Sequence, residues 1–427
     1  MNKSLLLLPF LILLLLPHSA AGSAGIACFN SGEYACAYRE LLSDASQGDA
    51  SAQTYLGLMY LSGKGLEADV QEASKLFKQA AKLNHPVAQY QLGLMYDEGK
   101  VLRRNPEKAL SLFLASGTQG NIASQMHLAE MYRQGFGVEA DPISAHKWYL
   151  AAAEQGDPDA QAVLGELYAE GIGVISDVST SIFWYQKAAD QGSSKALCAL
   201  GVAYQKGLGL TQSHEQAMGM FRKANALGSS EAQFNIGYAF EFGLGVEQSL
   251  KQAISWYHKA AENNYPHAQH FLGLMYKLGH GVKKDYAQAQ LWLKRAADRE
   301  DTAALNVLGQ MYKVGDGVPK DLAEAMQLFR FSASLGDPVA QFEVGQLLEH
   351  GLGHAQNLAE AIRWYRRAAN SGHIVAQNLL GLMYAAGDGV KQDYLESANW
   401  LRRAAGSGYV YAQHSLGLMY QYGEGVE

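Results

Sequence analysis

Past residue 16 the chain has no long apolar run. That excludes a later membrane-spanning helix, because crossing a bilayer takes about 20 apolar residues. Positive charge is not in excess either, with 34 Lys and Arg against 41 Asp and Glu in 427 residues. The balance leaves no basic footprint for nucleic acid and no polybasic patch for a membrane surface. Cysteine is scarce: Cys28 and Cys36 lie eight residues apart and Cys198 stands alone in a helical stretch. The arithmetic predicts one Cys28–Cys36 bridge and a free, buried Cys198. Gly-x-Ser-x-Gly, P-loop and His-Glu-x-x-His motifs are all missing, which removes the enzyme classes they mark.

What is present begins with Lys3, an apolar run from Leu5 to Leu16, the breaker Pro17 and small residues from Ser19 to Ala24. This is the pattern of a secretory signal peptide, assigned to 1–24 with cleavage after Ala21 or Ala24. The mature chain then carries 33 basic and 41 acidic residues, a net of −8. It contains no Asn-x-Ser/Thr acceptor, which gives no support to a eukaryotic secretory origin. An exported bacterial envelope protein is expected, periplasmic first and secreted as the alternative, in a compartment that permits disulfides.

The rest of the chain repeats. The string Leu56-Gly57-Leu58-Met59-Tyr60 returns around Gly93, Gly165, Gly201, Gly237, Gly273, Gly309, Gly345, Gly381 and Gly417, at steps of 36 residues or a multiple, with Ala129 the one break in the glycine column. Four columns absorb 39 of the 45 glycines, so glycine here is repeat punctuation and not linker. Such a period predicts a solenoid array. In each unit a first helix carries Ala52, Leu56, Met59 and Tyr60 on one face and ends at Gly63 and Gly65, which supply positive φ. A second helix follows, marked by Ala73, Leu76, Phe77, Ala80 and Ala81. All six tryptophans occupy the Leu76 column and read as packing, each ring stacking against the next repeat. In the closing column Asn84 and Asn264 tolerate the left-handed conformation in place of glycine, and Glu300 is the exception. Ten complete repeats fill 49–408, a partial eleventh fills 409–427, and Tyr34–Ser46 within 25–48 matches the second-helix register as an N-terminal capping helix. The last unit stops after one helix. Its open end implies a truncated chain, self-association or a partner that docks there.

The recurring Ala-Gln-x-x-Leu-Gly-x-Met-Tyr-x-x-Gly-x-Gly-Val, followed by Ala-x-x-Trp-Tyr-x-x-Ala-Ala, resembles the SEL-one-like repeat, a relative of the tetratricopeptide repeat, from about residue 33 onward. The resemblance implies an all-α solenoid of antiparallel hairpins in a right-handed superhelix, with first helices lining a concave face. It also implies a non-enzymatic adaptor that binds protein or peptide partners. Some secreted relatives carry a disulfide pair in every repeat and are linked to β-lactam binding or hydrolysis; this chain lacks those pairs. A host-interaction factor is a further alternative that shares the scaffold mechanism.

Ser144-x-x-Lys147 has the spacing of penicillin-recognising enzymes, but no Ser-Asp-Asn or Lys-Thr-Gly accompanies it, and both residues fall in the first turn of an ordinary second helix. His267 with His270, and His350 with His354, are too few ligands for a metal site. No catalytic residue, metal or cofactor is expected. By analogy with tetratricopeptide hairpins, the concave surface takes the positions six and three before the glycine column and one, four and five after it. At minus three stand Tyr90, Phe234, His270 and Phe342; beside the sixth repeat's glycine come Tyr238, Glu241 and Phe242, with His267 from the next unit. These eight residues form the candidate partner-binding set, since aromatic anchors with a polar rim suit protein recognition. The competing reading for Phe234 and Phe342 is that they fill gaps between adjacent first helices.

Overall fold

The computed structural model describes residues 24–353 and 355–426. The expected signal peptide therefore lies outside the described residues except for Ala24, as does His354. The chain forms two compact units, Met1–Ala196 (unit 1) and Leu197–Glu427 (unit 2). Twenty-three helices and no strand are found among the described residues, so the fold is an all-α solenoid of antiparallel hairpins. In unit 1, α1 (Ala24–Asn30) and α2 (Tyr34–Ser46) precede the first hairpin of α3 (Ala50–Ser62) and α4 (Val70–Lys82). Every later helix starts 36 residues after its equivalent.

Caps and glycines fix these boundaries. Asp49 accepts a hydrogen bond from the Ala52 N–H (2.6 Å) at the start of α3, and Asp69 accepts from Gln71 and Glu72 at the start of α4, satisfying amide donors that a helix start leaves open. Gly63 ends α3 at φ +67°, where a side chain would be strained. The hairpin closes when the Asp69 N–H reaches the Tyr60 carbonyl (3.0 Å), a bond that returns at Asn105, Asp141 and Asp177. Asn84, Asn264 and Glu300 all adopt the left-handed conformation.

In every complete hairpin but that of Ala129, the column glycine sits under a large side chain of the second helix. A Cβ at Gly57 would lie 2.8 Å from Phe77, at Gly237 2.8 Å from Tyr257, at Gly273 2.5 Å from Leu293 and at Gly345 2.4 Å from Tyr365. Phe77, Phe113, Phe221, Tyr257, Phe329 and Tyr365 are fully buried, and burial of each contributes about 2–3 kcal/mol; Tyr185, over Gly165, is half-buried. The tryptophans pack differently from expectation. Trp184 joins the cluster of Ala129, Tyr149 and Leu164, and Trp292 that of Tyr257 and Leu272. These rings thus lean on the preceding repeat and not the next.

A glutamine ladder ties successive repeats together. The buried column that includes Gln53, Gln125, Gln161, Gln269 and Gln377 donates Nε2 to the last carbonyls of the preceding second helix, at Ala45, Gly117, Ala153, Ala261 and Ala369 (2.9–3.2 Å). Its Oε1 accepts from the residue that ends the following second helix: Gln119 donates to Gln89, Gln155 to Gln125, Gln191 to Gln161 and Asn263 to Gln233 (2.7–2.9 Å). Where that residue is Leu83, Arg299, Ser371 or Ser407, the Oε1 of Gln53, Gln269, Gln341 or Gln377 is buried without a partner.

At the N-terminal end α1 was not expected. It reproduces the glycine contact, since a Cβ at Gly25 would lie 2.7 Å from the buried Leu41, and the Cys28–Cys36 disulfide joins it to α2. Cys198 is free and buried, its thiol pushed up to about 12 by burial and, secondarily, by Glu231. At the other end Gly417 of α23 (Val410–Tyr422) has nothing within 4 Å of its Cβ direction.

Two predictions follow from this packing. Gly345→Ala should cost about 1–3 kcal/mol by overpacking a locked ring, while Gly219→Ala, with open space at its Cβ, should stabilise by up to about 1 kcal/mol; urea unfolding measures both. Leu83→Gln should give the Gln53 Oε1 its donor and add about 1 kcal/mol, read in the same titration against a Leu83→Ala control.

Candidate partner-binding site

The minus-three column does not present a free surface. Thr54, Cys198, Phe234, His270, Asn306 and Phe342 each meet the residue that caps the next first helix, 31 positions on. Thr54 Oγ1 meets His85 Nδ1 (3.1 Å), Cys198 Sγ meets Ser229 Oγ (3.5 Å) and Asn306 Nδ2 donates to Asp337 Oδ1 (2.9 Å). Phe342 stacks on His373 at 4.6 Å between ring centres, and Phe234 lies 5.6 Å from Tyr265 and 5.1 Å from Phe271. Tyr90 packs on Phe113 and His127. Tyr90, Phe234 and Phe342 are therefore half-buried seam residues, which is the gap-filling alternative for the two phenylalanines. The column varies because its partner column varies with it.

His270 belongs to the same seam, 4.0 Å from Asp301 Oδ1, and the exposed His267 places Nδ1 3.5 Å from Asp301 Oδ2. Asp301 already caps α17 (Thr302–Val314) through the Ala304 N–H (2.8 Å). Burial pushes the Asp301 carboxyl up, but the hydrogen bond from His267, the Ala304 amide and the charge of the two histidines outweigh it and hold the group below the usual carboxylate range. The same hydrogen bond raises His267, whereas burial lowers His270. Among the described residues the one group of three converging metal-ligating side chains is Cys28, Glu33 and Cys36. Its thiols are bonded to each other, so neither is free to ligate.

Glu241 is also committed to the scaffold. It accepts from Tyr257 Oη (2.7 Å) and lies 3.4 Å from His280 Nε2; Glu349 holds Tyr365 in the same way (2.5 Å). Burial and this carboxylate raise the Tyr257 phenol well above its ordinary value. Ser144, singled out by its spacing to Lys147, donates Oγ–H to Asp141 Oδ2 (2.6 Å) and serves the cap of its own helix.

Besides the exposed His267, two members of the candidate set face outward: Tyr238 is half-buried beside Phe242, with ring centres 4.5 Å apart, and Phe242 is 52% exposed. Phe242 is the last residue of α13 (Ser230–Phe242), and the same place in the next two repeats holds Leu278, ending α15 (Pro266–Leu278), and Val314, ending α17, at 67% and 63% exposure. Two residues further on in their own repeats, between the turn glycines, Leu208 and Leu352 are exposed as well. Five consecutive repeats of unit 2 thus each offer one large apolar side chain at the turn end of the first helix. Charge pairs between repeats rim this strip, Lys277 with Asp316 (2.9 Å) and Lys313 with Glu343 (2.6 Å), and Glu241 lies beside His280. Leu278 and Val314 escaped the sequence reading although they share the plus-five column with Phe242; leucine and valine look ordinary in a helix until their exposure is known.

A sequence model described as Sel1 repeat matches eleven consecutive segments, from 50–85 to 374–409 in 36-residue steps and then 410–427. Among solved structures, a protective antigen present in uropathogenic Escherichia coli strains, described as displaying an SLR fold, is 33% identical; the match covers 91% of this chain and 84% of that one, with a TM-score of 0.54. A Sel1 repeat protein from Oxalobacter formigenes is 32% identical over 58% of this chain and 99% of its own, with a TM-score of 0.52. No curated protein matches the chain.

The partly buried histidines predict a pH dependence. Burial lowers His85, His127, His146, His258, His270 and His373, so below about pH 6.5 the unfolded chain takes up protons that these folded sites refuse, and stability falls. His267 opposes this: its raised folded value gives stability that is present in acid and lost as pH rises through that value. With six groups against one, the urea midpoint should be lower at about pH 5.5 than at about pH 7.5. His267→Asn should deepen the acid loss and leave the alkaline side unchanged.

Proposed function

This chain belongs to the Sel1 repeat family, and on that premise we propose that it is a non-enzymatic interaction scaffold whose unit 2 binds an apolar segment of a partner protein along the turn ends of its first helices. The observation that carries the reading is the strip of Leu208, Phe242, Leu278, Val314 and Leu352, one exposed apolar side chain in each of five consecutive repeats. An isolated exposed leucine needs no explanation, but a periodic file of them bordered by paired charges has the anatomy of an interface, with an apolar centre and a polar rim. The charge pairs are bonded to one another across repeats, so they stiffen the strip and leave its apolar centre as the adhesive element. A scaffold role also fits how side chains with chemistry are spent: Ser144 on a cap, Glu241 on a tyrosine and Asp301 on a helix start.

The address we propose is the bacterial envelope, with the periplasm first, supported by the signal-peptide pattern at 1–24 and the Cys28–Cys36 disulfide. A host-exposed location is the second reading. It is favoured by the 33% identity to a protein described as a protective antigen, and fractionation of cells, periplasm and medium separates the two.

The strip is tested by crosslinking the protein in its own cells and comparing wild type with a Phe242→Ser/Leu278→Ser/Val314→Ser variant. A partner captured by wild type should lose about thirtyfold or more in affinity, while thermal unfolding stays unchanged because all three side chains are more than half exposed. An unchanged partner at unchanged affinity would remove the strip from the function.

A further inference from the structure

The second helices of unit 2 carry a charge pattern that the net charge of the chain conceals. The two residues after the side chain that covers the column glycine (Leu293, Tyr365 or Leu401) are Lys294-Arg295 in α16 (Tyr286–Ala297), Arg366-Arg367 in α20 (Leu358–Asn370) and Arg402-Arg403 in α22 (Tyr394–Gly406). A further basic pair stands at this place in α12 (His214–Ala226), and α14 (Leu250–Glu262) and α18 (Leu322–Ser334) supply one cation each. The same places in unit 1 hold Leu114-Ala115 and Leu150-Ala151 in two hairpins and a single lysine, Lys78 or Lys187, in the other two. Six consecutive repeats of an acidic protein therefore present positive charge in one row.

The scaffold orders these cations without neutralising them. Arg295, Arg367 and Arg403 lie over Trp292, Trp364 and Trp400 of their own helices at 4.6–4.8 Å. Arg366 and Arg402 donate to the hydroxyls of Tyr384 and Tyr420 on the following first helices. From α14 to α22, the row's one ion pair among the described residues is Arg330 with Glu360 (3.0 Å). The fold does not need a cation at this place, since two hairpins of unit 1 form with leucine and alanine there. Two hollows open along the row: one of about 280 Å³ lined by Arg363, Trp364 and Arg367 with Glu360, the other of about 690 Å³ lined by Arg366, Lys391 and Trp400 with Asp393 and Glu396.

We propose that this row docks an extended, acidic segment of a polypeptide, one carboxylate per repeat. Guanidinium forks fit carboxylates two bonds at a time. An extended chain rises about 3.3 Å per residue, so an acidic residue at every third position sets carboxylates about 10 Å apart along the row. Nucleic acid is the poorer fit, because binding single strands uses open aromatic faces for base stacking and here the chain's own arginines cover the indoles. The row sits on second helices and the apolar strip on first helices, so the two surfaces are separable by mutation.

The test is fluorescence anisotropy with the mature protein and a labelled peptide of Glu-Gly-Gly repeats, with the Gln-Gly-Gly peptide as control. The glutamate peptide should bind at about 50 mM salt and weaken sharply at about 300 mM, and the glutamine peptide should not bind. Lys294→Gln/Arg366→Gln/Arg402→Gln should weaken binding about tenfold or more, and Lys294→Gln alone, which touches no ring, about twofold to threefold. Lys78→Gln, the same column in unit 1, should change nothing. Circular dichroism melts confirm that each variant is folded, and the triple variant should keep any partner captured through the Phe242 strip. No binding of the glutamate peptide, or equal binding by the triple variant, would overturn the proposal. So would tighter binding of single-stranded DNA or of anionic phospholipid vesicles with the same sensitivity to the triple variant, which would assign the row to that ligand instead.

Discussion

In hairpin after hairpin, a ring or leucine of the second helix lies on the bare backbone of a glycine in the first, at a distance where even one added carbon would collide. That contact sets the separation and rotation of the two helices, and the rest of the repeat is arranged around it. The positive-φ glycines return the chain at the right place, the caps start each helix one turn before its first buried residue, and the tryptophan beside the ring reaches back to the previous repeat. Where the ring is a tyrosine, as at Tyr257 and Tyr365, its hydroxyl recruits a glutamate from the first helix. The polar group is buried only because its partner comes with it.

Coupling between repeats uses polar groups as well as packing. Where the column holds glutamine, the ladder ties the carbonyl end of a second helix to the next repeat, with Leu197 and Leu305 its two breaks, and six seam residues pair with a cap 31 residues on. Both devices explain variation that first looks functional: Thr54, Cys198, Asn306 and Phe342 differ because His85, Ser229, Asp337 and His373 differ opposite them. Variation in a repeat array marks recognition only where the varying residue has no varying partner inside the fold.

By that criterion unit 2 offers two surfaces. The turn ends of its first helices carry the apolar strip, and its second helices carry ordered, uncompensated cations. A scaffold needs such a division, because a hairpin that spends its core on shape has only its ends and its outer helix face left for partners. Repetition turns one weak contact per repeat into a row, and affinity then grows with the number of repeats engaged.

The period, the all-α hairpin, the helix boundaries and the packing role of glycine and tryptophan were legible from sequence, because each rests on local rules that 36-residue repetition states many times over. Tyr90, Phe234, His270 and Phe342 were not separable by sequence into seam and surface, since a helical stripe shows spacing but not what stands opposite it. Nor could the sequence tell that Glu241 was already bound by Tyr257, that tryptophan leaned backward, or that Leu278 and Val314 were exposed while similar leucines were buried. Sequence alone determined the repeat and its register, which depend on backbone conformation and on residues within one turn of each other. Tertiary structure decided which side chains remain for a partner, because burial and pairing are set by contacts between residues 16 to 31 positions apart.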